Sequence, residues 1–163
     1  MSEVFDWPDL LVRVSVIGFA LAGGIYFVFS VFSMPALARI DASAAIQAMQ
    51  SINRVIVRTA FLPLFFGTTV LGVLLAAGAV SGWFEGSRTL LVLAGTIYVA
   101  GMFGVTVAFN VPLNNRLDAV VAGSPEAAGV WTHYLARWTV WNHVRTVACC
   151  VASALALAGL AQA

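Results

Sequence analysis

The chain has 163 residues, 61% hydrophobic and 9% charged, with a mean hydropathy of +0.97 and a net charge of +1. Soluble domains are about 25% charged, so the composition points to one integral membrane domain, residues 1–163. The near-zero net charge gives no footing for a nucleic-acid partner. All the basic residues are Arg, which stays charged when partly buried and forms forked pairs.

The opening "MSEVFDWPDL" is acidic and lacks the basic start and cleavage site of a signal peptide. A spanning helix needs about twenty predominantly apolar residues. Four stretches qualify: Leu10 to Met34, Ala60 to Val80, Thr89 to Phe109, and Val147 to Ala163 extended upstream through "WTVWNHVRT". Gly18/Ala22, Gly72/Ala76 and Ala100/Gly104 have the small-residue spacing that lets helices approach, and such faces permit a homo-oligomer. "DASAAIQAMQSINRVIVRT" reads as a helix capped at Ser43. "SGWFEGSR" is a short turn. After Asn110 come a first helical piece, a "GSPE" break and a helix from about Pro125. Pro63 frees the carbonyl of Thr59. Cys149 and Cys150 match no metal or redox spacing and read as inert buried thiols.

"FSMPALARID" from Phe32 and "FNVPLNNRLD" from Phe109 share Phe, Pro, Arg, an aliphatic residue and Asp at identical spacing. "VRT" recurs at Val57–Thr59 and Val144–Thr146. The expected architecture is therefore all-α. It is a bundle of four transmembrane helices, built from two pseudo-repeated hairpins (about 10–80 and 89–163) with a helical crown on one side. Each copy holds an even number of spans, so the axis relating them runs along the membrane normal. Six of the eight Arg lie in the crown, which places it in the cytoplasm and the termini opposite.

Counted along the spans at 1.5 Å per residue, Arg58, Asn110 and Arg145 reach one level near the hydrocarbon boundary. Ile46, Met49, Asn53, Ile56 and Ala60 make an apolar stripe with Asn53 as its polar intruder. Gln47, Gln50, Arg54 and Arg58 make a polar stripe beside it. Tyr134, Trp138, Trp141 and Arg145 share a face, either as an interfacial aromatic belt or as a stacking wall, with Asn142 beside it. Amides at membrane depth need partners, which makes Asn53 and Asn110 candidates. Arg39 with Asp41, and Arg116 with Asp118, read as ion pairs or caps. Asn114 reads as a cap for a broken helix. His143 is the only titratable base near the ring, although it points away from Trp141 and Arg145 on an ideal helix.

"MPAL", "AMQSINR", "NVPLNN" and "W…Y…RW…WNHVRT" resemble the anthrone oxygenase-like family of small four-helix membrane proteins, from about Gly18 to Ala154. The resemblance implies oxidation of an anthrone-like, phenolic or quinol-like lipophilic aromatic by molecular oxygen. A deprotonated anthrone is electron-rich and reacts with oxygen without a cofactor. In that reading His143 is the base, and Arg145 and Arg58 stabilise the anion. Asn53, Asn110, Asn114 and Asn142 hold its oxygens, and Tyr134, Trp138 and Trp141 sandwich its rings. The His143→Ala change then abolishes turnover. The expected partners are a lipophilic aromatic small molecule and membrane lipids. No cofactor and no metal site are expected, since the two His do not share a face and no Cys motif exists. The rivals are a haem- or copper-dependent oxidase, with His143 and either Met49 or His133 on a haem, and a non-catalytic lipid- or quinone-binding subunit.

Overall fold

The longest helices outrun the hydrocarbon core of a bilayer, and the surplus length shapes the molecule. A computed structural model describes residues 6–162, so the first five residues of the acidic opening segment and Ala163 lie outside it. Among the described residues the chain is all-α, with five helices. These are α1 (Trp7–Leu37), α2 (Ala42–Ile56), α3 (Phe61–Val80), α4 (Arg88–Asp118) and α5 (Ala127–Leu160). All except α2 are long and apolar enough to cross a membrane. The 20 residues of α3 cover about 30 Å, which matches the hydrocarbon thickness. The 31 residues of α1 and α4 reach about 46 Å and the 34 of α5 about 51 Å.

One end of the bundle is level. The Trp7 and Trp83 rings meet edge-on at 5.4 Å, and the Ser87 N–H donates to the Gly159 carbonyl at 3.3 Å. The extra turns of α1, α4 and α5 therefore run past Phe61 at the other end, where α2 packs on α4 and α5.

Local chemistry sets the helix ends. The Asp6 carboxylate accepts from the Asp9 N–H at 3.3 Å, with Pro8 in the first turn of α1. Asp41, not Ser43, caps α2, accepting from the N–H groups of Ser43 and Ala44 at 2.9 and 3.3 Å. Ser43 already lies inside the first turn. The helices do not stop where the expected spans end, at Met34 and Phe109, because α1 and α4 continue through Pro35 and Pro112. A proline crowds the carbonyl one turn back. Here the preceding turns widen into π-helix, at Phe29–Ser33 in α1 and at Val99–Gly104 and Thr106–Asn110 in α4. Pro63 falls in the first turn of α3, where a missing N–H leaves no bond unmade. The Thr59 carbonyl is not free, since it accepts from the Leu62 N–H at 3.2 Å.

The four long helices form a ring in the order α1, α3, α4, α5. Small residues set the approach. A Cβ on Gly72 would meet the Gly95 carbonyl at 3.5 Å, and one on Gly23 would meet Cys149 at 3.0 Å. In α4 the contact with α5 falls at Gly101 against Ala148 rather than at Gly104. Inside the ring, Phe19 stacks on Tyr98 at 3.8 Å, and the Tyr98 hydroxyl donates to Thr68 at 2.7 Å. Cys149 is buried, whereas Cys150 faces outward.

A second core lies beyond α3, where Ile46 and Met49 of α2 pack with Met34, Leu117, Trp131 and Tyr134. Gln50, expected on a polar stripe, is buried and donates to the carbonyls of Leu117 and Val120, both at 2.9 Å. These carbonyls lie at the end of α4 and just past it, where the helix supplies no further donors. Asp118 pairs with Arg54 at 2.6 Å rather than with Arg116, and Asp41 serves as a cap rather than as a partner of Arg39.

Candidate functional site

A cavity of about 330 Å³ lies where α2 closes over the end of α3 and the upper turns of α1, α4 and α5. That volume is at the small end for small-molecule sites. Its walls are mainly apolar: Phe29, Met49, Ile52, Phe61, Phe65 and Phe103. Polar groups converge from every side except α3: Tyr26 from α1, Asn53 from α2, Thr106, Asn110 and Asn114 from α4, and Arg145 from α5. Val57, Phe66, Val107 and Val111 also line it and are about half exposed. The cavity therefore reaches the outer surface through an apolar mouth between α3 and α4.

Arg145 is the charged group of this site. It is only 5% exposed. Its Nη2 donates to Asn142 Oδ1 at 2.6 Å and its Nη1 to Thr106 Oγ1 at 3.2 Å. The guanidinium carbon sits 4.3 Å from the Tyr26 ring centre and 5.2 Å from that of Trp138. Among the described residues the ion pairs are Asp9–Arg13 and Arg54–Asp118, so Arg145 has no acidic partner. A buried cation without a counter-anion is costly, and ring faces and neutral dipoles offset only part of the cost.

The surrounding polar atoms are also incompletely paired. Six buried side-chain N or O atoms lack a hydrogen-bond partner among the described residues. Four belong to residues that line this cavity: Asn53 Nδ2, Asn110 Oδ1, Trp138 Nε1 and Arg145 Nε. Such atoms are few in native proteins, and a cluster of them around one cavity makes it the candidate site.

Of the residues expected to form the site, Arg145, Asn53, Asn110, Asn114 and Trp138 line the cavity. Asn110 Nδ2 donates to the Trp138 carbonyl at 3.3 Å. Asn114 does not cap a broken helix but accepts from the Tyr134 hydroxyl at 2.9 Å. Tyr134 is thus one layer back, stacked between Trp131 and Trp138 at 5.8 and 6.0 Å in the second core. These three aromatic residues are buried rather than arrayed as a belt at the surface. Asn142 is fully buried and does not line the cavity. Its Nδ2 donates to the Tyr26 carbonyl and to Ser30 Oγ, both at 2.6 Å.

Three expected residues lie elsewhere. Trp141 is one position off the buried face of α5 and stacks on Phe109 at 3.7 Å. Arg58 is exposed in the connection before α3, although its neighbour Val57 lines the cavity. His143 is exposed in an outward groove with Ile97, Val140, Val144, Val147 and Val151. At 100° per residue it stands about 160° from Arg145. The structure therefore does not bring His143 to the cavity as a base. Met49 faces the cavity and His143 does not, so these two do not meet around one haem. Among the described residues no three of His, Cys, Asp and Glu come together.

Sequence reasoning missed Tyr26 and Thr106, which contact Arg145. Each is a polar residue in the last apolar turns before a proline motif, and that position was the available signal.

No curated protein and no solved structure matches the chain. The family model described as anthrone oxygenase matches residues 54–155, which include α3, α4 and α5 as far as Leu155 and, with them, Asn110, Trp138 and Arg145. Matched over more than half its length, the chain belongs to the anthrone oxygenase family.

Proposed function

We propose that the protein is a membrane oxygenase that uses molecular oxygen on a lipophilic, planar phenolic, anthrone-like or quinol-like substrate. The observation that carries this reading is Arg145, buried without a counter-anion in an apolar cavity whose other polar atoms also lack partners. For an anthrone, loss of a proton from the ring methylene gives an enolate with its charge on oxygen. Electron transfer to oxygen and recombination at carbon form a C–O bond. The resulting peroxide, once protonated, loses water to leave a carbonyl. The substrate is oxidised by four electrons, one oxygen atom enters the product and the other leaves as water. Arg145, Asn53 and Trp138 are the donors available to the enolate oxygen, and Phe61, Phe65 and Phe103 form apolar walls for flat rings. Entry between Phe66 and Val107 suits a molecule that partitions from the bilayer.

The reading extends to architecture. The two hairpins are pseudo-repeats, their polar ends form a crown on the cytoplasmic side, and the termini lie opposite. Pro35 and Pro112, at matched positions, each follow a π-helical stretch, which supports the repeat. In this reading the exposed Arg58 and the buried Arg145 are matched positions that have diverged.

Oxygen uptake by purified protein with an anthrone or hydroquinone, matched to quinone formation, tests the activity. Tight binding of a quinone with no oxygen uptake would point instead to a non-catalytic quinone-binding subunit.

A further inference from the structure

The cavity has a cation and neutral donors but no group suited to remove a proton. Among the described residues no Asp, Glu or His lines it. The titratable groups around Arg145 are Tyr26 from α1 and Tyr134 and Cys149 from α5. The lining residues of α2, α3 and α4 add none, contributing Asn53, Thr106, Asn110, Asn114 and apolar side chains. Phenol and thiol groups ordinarily ionise above about pH 8, so below that they neither cancel the charge of Arg145 nor compete for it.

We infer that the site takes its ligand as a preformed aromatic oxyanion, with Asn142 as the positioning residue that holds Arg145 and leaves its charge uncompensated. The inference rests on the oxygenase reading and adds the ionisation state of what enters. Asn142 is the residue most closely bound to the guanidinium, at 2.6 Å, and it is locked by two further bonds of 2.6 Å to the Tyr26 carbonyl and Ser30 Oγ of α1. A carboxylate at this position would accept the same Nη2 bond and neutralise the cation. The amide fixes the orientation without doing so. The proton is thus lost to water at the bilayer surface, where the ligand's oxygen meets water before its rings enter, and the pH dependence of binding belongs to the ligand.

The test is anaerobic binding to the full chain in detergent, between pH 5 and 8. Three probes are used: 1-naphthol, its methyl ether, and a nitro-substituted 1-naphthol ionised throughout the range. The nitronaphtholate should bind with constant affinity, roughly tenfold or more tighter than the ether. Binding of 1-naphthol should strengthen as pH approaches its own ionisation. In Asn142→Asp the preference for the anion over the ether should vanish. Equal binding of ether and nitronaphtholate by the native protein, or one midpoint shared by both naphthols, overturns the inference, whether or not the variant folds. Because oxygen is absent, that result leaves the oxygenase reading to its own assay. Conversely, an anion preference without anthrone oxidation would overturn only the oxygenase reading.

Discussion

Replacing Arg145 with Met should abolish function while costing the fold only a few kcal/mol. Two hydrogen bonds from a charged group, to Asn142 and Thr106, contribute about 1.5–3 kcal/mol each. Two ring-face contacts contribute up to about 2 kcal/mol each when desolvated. Against these stands a desolvation penalty of several kcal/mol for a cation with no paired anion. Met fills much of the volume with no polar atom, but it leaves Asn142 Oδ1 without its donor, which costs about 1–3 kcal/mol. The losses exceed the relieved penalty by a few kcal/mol, so the midpoint of thermal unfolding in detergent should fall by roughly ten degrees. Binding of an anionic ligand loses a buried charge pair, about 3–5 kcal/mol, or roughly a hundredfold or more in affinity. Arg145→Lys keeps the charge but not the fork, and should fall between the two. Calorimetry and oxygen uptake on the same preparations read both quantities. Turnover by Arg145→Met within tenfold of the native rate would refute the reasoning. A collapse of the Met variant that Lys repairs, with turnover restored in full, would make the guanidinium a structural group.

Other expected outcomes are more local. Asn53→Leu removes a donor that has no partner, so stability should hold or rise by up to about 1 kcal/mol while ligand affinity falls roughly tenfold, measured by unfolding and titration. His143→Ala should leave oxygen uptake within about twofold, because the ring faces an outward groove; loss of uptake would restore it to the chemistry. Gly95→Ala drives a methyl into the Gly72 carbonyl and Ala76, where two backbones touch, and should cost about 1–3 kcal/mol. Gly24→Ala, with open space around it, should be neutral or mildly stabilising by the same unfolding assay. Gln50→Leu strips the donor from the Leu117 and Val120 carbonyls and should loosen α2 by about 2–3 kcal/mol, seen as faster backbone hydrogen exchange over residues 42–56.

The spans were legible because lipid demands long uninterrupted apolar runs, and all four appear where composition puts them. Their ends were less legible. A polar cluster after a proline, as in "NVPLNNRLD", reads as a break, but a π-helical turn upstream absorbs the proline and the helix runs on to Asp118. The residues of α5 were legible only through phase. Arg145 and Trp138 lie on its buried stripe, Trp141 lies one residue off it, and His143 lies on the far side, as ideal helical geometry implies for His143. Arg58 could not be distinguished from Arg145 by motif, because "VRT" is identical in both places. Burial depends on what covers the arginine, and the Tyr26 and Trp138 rings that cover Arg145 have no counterparts over Arg58 among the described residues.

The distribution of satisfied and unsatisfied polar groups argues for a site more strongly than the cavity's size does. Elsewhere the fold completes most of its buried bonds, leaving Ser124 Oγ and Thr139 Oγ1 unpaired among the described residues. Tyr98 reaches Thr68, Gln50 reaches two carbonyls, and Asn142 uses its amide nitrogen twice and its oxygen once. A chain able to close those networks could have closed the cavity by the same means, with a carboxylate beside Arg145 or a leucine at Asn53. Either change would remove a buried group that lacks a partner, and each such group costs about 1–3 kcal/mol. Four of them line a single cavity. A protein that carries this much unmet hydrogen-bonding capacity in one place, under one uncompensated cation, is less stable than its own fold permits. A ligand with a flat apolar body and one anionic oxygen offers an acceptor to the unpaired donors of Arg145, Asn53 and Trp138, so ligand should raise the unfolding midpoint of the native protein and leave that of Arg145→Met unchanged.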